Sequence, residues 1–310
     1  MTTANQTDLT NELRTIKDFI RWGASQFVEN KVFLGHGLAT SLHESAAIVL
    51  HVLFLPYNLD DCYLDAVLTV EERKKVVFLL DKRIKERKPV AYLTNEAIFA
   101  GLSFYVDERV LVPRSPIAEI ILQRFSPWVD ENKTINILDL CTGSGCIAIA
   151  CAYAFPDAQI DAVELSDEAL EVAGKNIKKH DVLEQVCLFK SDLFKTLPSN
   201  KYDVIVSNPP YVAIQEWKEL PAEYHQEPEM GFTGGASGLD LVLRILVDAN
   251  DYLTEQGVLI IEVGSSSETL QQLFPQIPFY WLEFEQGGDG VFLLTAEQVQ
   301  QYHQQFKSIN

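Results

Sequence analysis

Four consecutive residues in the second half of the chain, Asn208-Pro209-Pro210-Tyr211, have types that suit one kind of chemistry. A planar amino group, such as a carboxamide NH2, is a poor nucleophile because its nitrogen lone pair is delocalised. The Asn208 side-chain oxygen and the Pro209 backbone carbonyl could accept its two N–H bonds. Proline would present that carbonyl on a stiff backbone. Two acceptors would localise density on nitrogen and favour the positive charge that develops as it attacks a methyl group. Tyr211 could pack against the planar group and shape the pocket. A sulfonium methyl donor fits, since the proton can leave after attack and no strong base is needed beforehand. Alignment of nitrogen, methyl and sulfur could supply up to ~7–11 kcal/mol. The plainer alternative is an Asn-Pro-Pro turn that only stops a strand, because proline lacks the N–H a sheet requires.

A second constellation lies upstream. Asp139-Leu140-Cys141-Thr142-Gly143-Ser144-Gly145-Cys146 runs into helix-forming Ile147-Ala148-Ile149-Ala150. A glycine turn from strand to helix lets backbone approach a ligand closely. Ala148 stands at the third glycine position of the dinucleotide fingerprint, which tolerates alanine, so spacing alone leaves a nicotinamide cofactor open. Glu164 follows Asp139 by 25 residues and could accept both hydroxyls of a ribose. In isolation it reads equally as an exposed strand-end acid. Asp192, in Lys190-Ser191-Asp192-Leu193-Phe194, is placed to accept from an adenine amino group, or simply to cap a turn. The histidines show no ligand spacing with the cysteines, so no metal is expected.

These residues need elements to position them. From Ile135 onward strand and helix signals alternate, with strands expected at Ile135–Leu138, Gln159–Val163, Val186–Phe189, Tyr202–Ser207, Val258–Val263, Trp281–Glu285 and Val291–Leu294. That alternation predicts an α/β fold with a mainly parallel sheet covered on both faces. Gln286-Gly287-Gly288-Asp289-Gly290 is too short for a crossover, so the last two strands form an antiparallel hairpin at the edge. Open parallel sheets bind ligands where the strand order reverses. There the first and fourth strands are neighbours, and the glycine turn and Asn208 face one crevice.

The preceding residues read as helical. Leu13, Ile16, Ile20, Ala24 and Phe27 make one apolar stripe. A second helix is expected over Glu44–Leu53. A third starts at Thr69, with Glu72 completing a capping box, buries Val76, Val77, Leu80 and Ile84, and closes at Pro89. Lys74, Lys75, Lys82, Arg83, Lys85, Arg87 and Lys88 along it read as a solvated face; the sharper reading is a docking patch for an acidic partner such as ribosomal RNA. Ala97–Phe99 and Leu102–Val106 flank Ala100-Gly101 as a β-hairpin connector. Ser115 is then expected to cap a helix that has Pro116 in its first position.

Composition sets the outer limits. The 310 residues are 47% hydrophobic and 22% charged, which excludes a disordered chain or a disulfide-stapled miniature. The net charge of −19 is concentrated: residues 1–105 hold 12 basic and 13 acidic side chains, residues 106–310 hold 13 and 31. So acidic a second half repels naked nucleic acid. Met1-Thr2-Thr3-Ala4-Asn5-Gln6 lacks the pattern of a secretory signal. No apolar run approaches the ~20 residues that span a bilayer. Five cysteines without a Cys-x-x-Cys pair read as free thiols of a cytoplasmic protein.

With these motifs the chain resembles the class I S-adenosylmethionine-dependent methyltransferases that modify a planar NH2, and within them the protein-glutamine N5-methyltransferases. The resemblance covers nearly the whole chain. Trp22-Gly23, Gly35-His36-Gly37, Leu111 to Glu119, Gly238 to Val242 and Trp281 to Phe292 are similar to the branch acting on the large-subunit ribosomal protein numbered three. It implies a Rossmann-like seven-stranded sheet with an antiparallel C-terminal hairpin, a helical substrate-recognition domain over 1–92, a connector over 93–113 and a catalytic domain over 114–310. It implies S-adenosylmethionine held by Asp139, Cys141, Thr142, Gly143, Ser144, Gly145, Glu164, Asp192, Leu193 and Asn208, with S-adenosylhomocysteine as product. It implies that Asn208, Pro209, Pro210 and Tyr211 grip the glutamine amide. Arg114 and Glu119 lie near the mouth by the same resemblance, with a salt bridge or a helix-end charge as their alternatives. Phe99 and Phe104 read as connector core before pocket wall, and Ala213 to Gly238 as a lid. Glu164 departs from the family's usual Asp. The implied partner is a ribosomal protein, free or on an assembling large subunit, and no membrane. The rivals are methylation of a peptide chain release factor, methylation of a nucleic-acid amino group, and a donor-binding ribosome assembly factor without catalysis.

Overall fold

The computed structural model describes residues 12–308 except 131, 132, 134 and 286. Met1 to Gln6 and Gln286 of the glycine-rich loop lie outside the described residues. The chain divides into two compact units, Met1–Glu96 with Pro221–Gln226, and Ala97–Leu220 with Glu227–Asn310.

The first unit is built on α1 (Ile16–Glu29), α2 (Ser41–Val52), α3 (Val70–Glu86) and α4 (Val90–Thr94). Capping boxes open α1 at Thr15 with Asp18, and α3 at Thr69 with Glu72, each satisfying two helix-end N–H groups. Ile16, Ala24 and Phe27 of the expected stripe are buried, joined by Phe19 and Trp22. Val76, Val77 and Leu80 are buried on α3. That helix stops at Glu86 because Arg87 turns left-handed at φ 57; Pro89 instead opens α4.

The basic run on α3 behaves as a solvated face for most of its length. Lys74 pairs with Glu71 at 2.9 Å, Lys85 with Asp81 at 2.5 Å and Lys82 with Glu86 at 3.8 Å. Arg83 is the correction. It is fully buried, donates to both oxygens of Glu44 at 2.9 and 3.2 Å, and donates to the Phe33 carbonyl at 2.8 Å. Arg83 therefore belongs to no surface patch. Its sequence neighbours are charged, which disguised a core position.

In the second unit, β1 (Ala97–Phe99) and β2 (Leu102–Phe104) pair antiparallel. Phe99 and Phe104 are buried with Ile117, Ile120 and Ile121 of α5 (Ile117–Leu122), as connector core. Pro116 occupies the cap position of α5, so the helix starts one residue later than expected, yet Ser115 Oγ still accepts the Ile117 N–H at 3.1 Å.

The central sheet comprises β3 (Asn136–Leu140), β4 (Gln159–Glu164), β5 (Val186–Lys190), β6 (Tyr202–Ser207), β7 (Leu253–Glu262), β8 (Tyr280–Trp281) and β9 (Val291–Thr295). Their order is β5-β4-β3-β6-β7-β9-β8, parallel through β7 and antiparallel beyond. The last hairpin stands at the edge as expected, but β8 is only two residues long, and β7 starts five residues before its apolar run. Strand residues alternate between two cores. Ile137, Val204, Val206 and Ile260 face one side with α6 (Cys146–Ala154), while Leu138, Ile205, Leu259 and Ile261 face the other with α9 (Asp240–Asp248). Between these helices lie α7 (Asp167–Lys179) and α8 (Ile214–Glu219), with α10 (Ser267–Leu273) and α11 (Ala296–Lys307) beyond. Both faces are covered, which is why these strands read as continuous apolar runs. Among the described residues no helix is long and apolar enough to cross a membrane.

The buried pair in the first unit yields a stability prediction. Glu44→Ala leaves the Arg83 guanidinium with only the longer carboxylate contact to Glu223 at 3.7 Å, which costs about 3–5 kcal/mol. Urea denaturation should show the loss, whereas Lys74→Ala on the solvated face should stay within about 0.5 kcal/mol.

Candidate active site

β3 and β6 lie side by side with Leu140 opposite Ser207, and the Ser207 hydroxyl donates to the Leu140 carbonyl at 2.8 Å. The two strands therefore end at the same level, and the segments leaving them line a single cleft. Its volume is about 1050 Å³, open solvent included. The glycine turn contributes Cys141, Thr142, Gly143 and Ser144; Glu164, Asp192 and Leu193 come from the ends of β4 and β5; Asn208 and Pro210 come from the end of β6.

The turn is held from beneath. Asp139 ends fully buried, and its Oδ2 accepts from Thr142 Oγ1 at 2.5 Å and from the Ala148 N–H at 3.1 Å. Burial pushes its carboxyl up to about 7, and Oδ1 has no protein partner. Cys141, Gly143 and Gly145 all have positive φ, at 60, 55 and 81°. A Cβ on Gly145 would just touch Ala173 of α7 at 3.4 Å, while one on Gly143 would meet nothing within 4 Å. The first glycine thus bares the backbone toward the cleft, and the second takes the left-handed turn that starts the helix. Burial pushes the Cys141 and Cys146 thiols up, the latter to about 12, so both act as neutral lining groups.

Glu164 reaches back to the same turn. Its Oε2 accepts the Gly143 N–H at 2.9 Å, and its Oε1 accepts the N–H groups of Leu165 and Ser166 at 2.8 and 3.0 Å. The extra methylene over Asp is absorbed by this curl. Asp192 accepts from Arg244 at 2.7 Å and Lys195 at 2.6 Å, and these cations hold its carboxyl below the usual range. An adenine amino group would have to share that carboxylate with Arg244.

Asp139, Gly145, Pro209 and Tyr211 are not among the lining residues. Pro209 is buried, and the Tyr211 hydroxyl donates to Glu262 at 2.8 Å. Arg114 lines the cleft, donates to Glu227 at 2.9 Å and lies 5.5 Å over the Phe232 ring. Glu119 instead accepts the Glu285 N–H at 3.0 Å. The Ala213 to Gly238 stretch splits: Pro221–Gln226 belongs to the helical unit, while Pro228, Met230 and Gly231 line the cleft. Glu227 anchors that second part by accepting the Val112 N–H at 2.8 Å.

Sequence reasoning missed Asn176. Fully buried on α7, it donates to the Ser144 carbonyl at 2.8 Å and exchanges two hydrogen bonds with the Tyr105 backbone, at 2.7 and 3.0 Å. It ties connector to glycine turn. The available signal was its phase: Val172, Ala173, Asn176 and Ile177 share one buried face, so a polar residue there needs partners.

The chain is 46% identical over 303 residues to the ribosomal protein uL3 glutamine methyltransferase of Francisella tularensis subsp. tularensis, covering 97% of this chain and 96% of that protein. The enzyme of the same name from Xanthomonas campestris pv. campestris is 48% identical over 289 residues, covering 93% and 94%. The chain belongs to this methyltransferase family. Residues 118–222 also match the methyltransferase small domain. The hMettl16 catalytic domain, solved with MAT2A 3'UTR hairpin 6, shares the fold with a TM-score of 0.51 at 16% identity, covering 89% of this methyltransferase and 91% of that chain.

A methyltransferase of this family implies S-adenosylmethionine, and the cleft fits it. The Gly143 backbone is bare, and two carboxylates, Glu164 and Asp192, stand along the same wall. The orphaned Asp139 Oδ1 sits behind the turn that would meet the donor.

Asp139 also makes stability depend on pH. Its folded value of about 7 exceeds the ordinary 3.8, so the native state keeps a proton that the unfolded state releases. Its contribution is complete below pH ~4 and lost as pH rises through ~7, for a total of about 4 kcal/mol. Denaturation midpoints measured across that range should show this decline in the native protein and lack it in Asp139→Asn.

Proposed function

We propose that this enzyme transfers a methyl group from S-adenosylmethionine to the side-chain amide nitrogen, N5, of a glutamine in ribosomal protein uL3. The observation that carries the reading is identity of 46 and 48%, over nearly the full length of both chains, to enzymes of that name. Placement of Asn208 and Pro210 in the cleft that holds the bare glycine turn supports it.

The difficulty of the reaction lies in the amide. Delocalisation is strong enough to put a barrier of ~18–20 kcal/mol on rotation about such a C–N bond. Asn208 Oδ1 and the Pro209 carbonyl would accept the two amide N–H bonds. Each bond strengthens as nitrogen becomes cationic, from about 1 to about 1.5–3 kcal/mol. Because the gain exists only as charge develops, it lowers the barrier rather than merely tightening substrate binding. The donor supplies an activated methyl on a positively charged sulfur. Glu164, curled by three backbone N–H groups, would take a ribose hydroxyl with the lone pair left on Oε2. Asp192 would take the adenine amino group beside Arg244, with Leu193 packing the ring. Thr142, Gly143 and Ser144 would line the methionine end.

The partner is a strongly basic ribosomal protein, met in the cytoplasm, and residues 106–310 hold 31 acidic against 13 basic side chains. Such a field steers a cationic partner and weakens with salt. The domain reading assigns its recognition to the helical unit.

The test is incubation with labelled donor and ribosomal proteins from cells lacking this activity, free and on particles, followed by mass analysis. One methyl on a uL3 glutamine is expected. Label on a release factor would move the substrate, and label on nucleic acid would overturn the class. Asn208→Ala should cut turnover at least 100-fold, far more than it weakens S-adenosylhomocysteine binding measured by calorimetry.

A further inference from the structure

Glu262 ends β7 inside the protein, 5% exposed, and its carboxylate is used at both oxygens. Oε1 accepts the Tyr211 hydroxyl at 2.8 Å, and Oε2 accepts the Ser115 hydroxyl. Ser115 Oγ in turn accepts the Ile117 N–H at the start of α5. Burial pushes the Glu262 carboxyl up, an effect opposed by the two hydroxyls and the Arg114 charge and reinforced by Asp289. Nothing about strand β7 requires a carboxylate here, since its other inward residues are aliphatic. A buried acid that burial itself disfavours is weak evidence for stability and points to a task.

The remainder of Tyr211 is equally constrained. Ser266 Oγ donates to its carbonyl at 2.8 Å. Gly264, at φ +41, lies against the ring so closely that a Cβ would stand 2.5 Å from Tyr211 Cε2. Gly238, at φ +78, approaches the Tyr211 carbonyl so that a Cβ would stand 2.2 Å away. The next residue is tied as well: the Val212 N–H donates to the Phe232 carbonyl at 2.8 Å. Tyr211 is thus clamped at hydroxyl, ring and carbonyl, while Asn208, three residues earlier, lines the cleft.

We propose that Glu262 is a positioning residue for methyl transfer: by holding the Tyr211 hydroxyl, and being held by Ser115, it fixes the Asn208–Tyr211 segment in the one geometry that grips an amide. This rests on the amide-methylation reading above. A carboxylate suits the task because it only accepts, through two oxygens set apart on a rigid plane. Each hydroxyl then has one defined direction in which to donate. Hydrophobic isosteres would fill the space but remove the acceptor that Glu262 gives the Tyr211 hydroxyl, loosening its hold on the segment. A glutamine would keep one acceptor and lose part of the hold.

The test is a double-mutant cycle on the full chain with E262A, E262Q, Y211F and Y211F/E262A. Methyl transfer to uL3 gives kcat and KM, calorimetry with S-adenosylhomocysteine gives donor affinity, and 19F spectra of fluorotyrosine-labelled protein report the ring, the Tyr211 signal being assigned by its loss in Y211F. E262A should lower kcat roughly ten-fold or more, since small misplacements cost that much. KM and donor affinity should stay within about two-fold, E262Q should recover most of the loss, and E262A should add less than about two-fold to Y211F. The Tyr211 resonance, sharp in the native protein, should broaden or split in E262A. Equal losses on both backgrounds, or donor affinity falling in step with kcat, would overturn the proposal. Should E262A not fold, the same cycle runs with E262Q. The spectrum needs no substrate: native protein that leaves uL3 unmethylated would sink the substrate reading alone, and an unchanged Tyr211 signal in E262A and E262Q would still dispose of the role of Glu262.

Discussion

Everything at this site depends on two parallel strands ending at the same height. Register sets Leu140 against Ser207, and the Ser207 hydroxyl closes on the Leu140 carbonyl, which locks that register at its last step. A slip of one residue would turn Asp139 and the inward side of β6 over to the opposite core. Because strand order reverses between β3 and β6, the helices after them leave on opposite faces and no chain crosses the gap. The cleft is therefore a consequence of connectivity. Residue chemistry only decides what it holds.

Two buried acids then build its two walls. Asp139 stands under the glycine turn and gathers Thr142 and the Ala148 N–H; Glu262 stands behind Tyr211 and gathers two hydroxyls. Both carboxyls are driven up by burial, so each opposes the fold only in its ionised form. Each is nevertheless well placed to fix something that must not move. Arg83 and Glu44 in the helical unit show the contrasting case, a buried acid whose charge is met by a cation at both oxygens.

Local features were legible in the sequence. The Thr69–Glu72 capping box and the edge hairpin emerged from runs whose partners are themselves nearby, and the Tyr202–Ser207 strand from its own short apolar run. Part of the cleft border was legible too, since Cys141 to Ser144, Asn208 and Pro210 sit in two contiguous motifs. Their supports were not. Ser115 and Glu262 lie 147 positions apart, Tyr105 and Asn176 are separated by 71, and Glu44 and Arg83 by 39. Nothing in a single chain's periodicity marks such pairs. Glu262 read as the end of an apolar strand and Arg83 as one more charge in a basic helix, because the partner that makes each buried polar group tolerable is contributed by another element. The early start of β7 has a similar cause: Tyr202 pairs with Leu253 before a register shift, so the ladder begins in residues with little strand character.

The division of labour between border and support explains why an amide is a demanding substrate for such a cleft. An amine presents a lone pair that any approach can use. An amide presents one only to the extent that its N–H bonds are gripped, and the grip weakens steeply once donor and acceptor fall out of line. Two acceptors three residues or fewer from Tyr211 must then hold their directions while a basic protein chain is drawn in from solvent. Loops seldom manage this alone. Here the segment after β6 is joined to the end of β7 through Glu262, to α5 through Ser115, and to the later glycine loop through Gly238 and Phe232. Three elements of the sheet and its cover converge on a tetrapeptide with two prolines, whose own backbone has little freedom left to lose. On the proposed reading, rigidity inherited from strands is the physical means by which so short a motif would select a planar nitrogen.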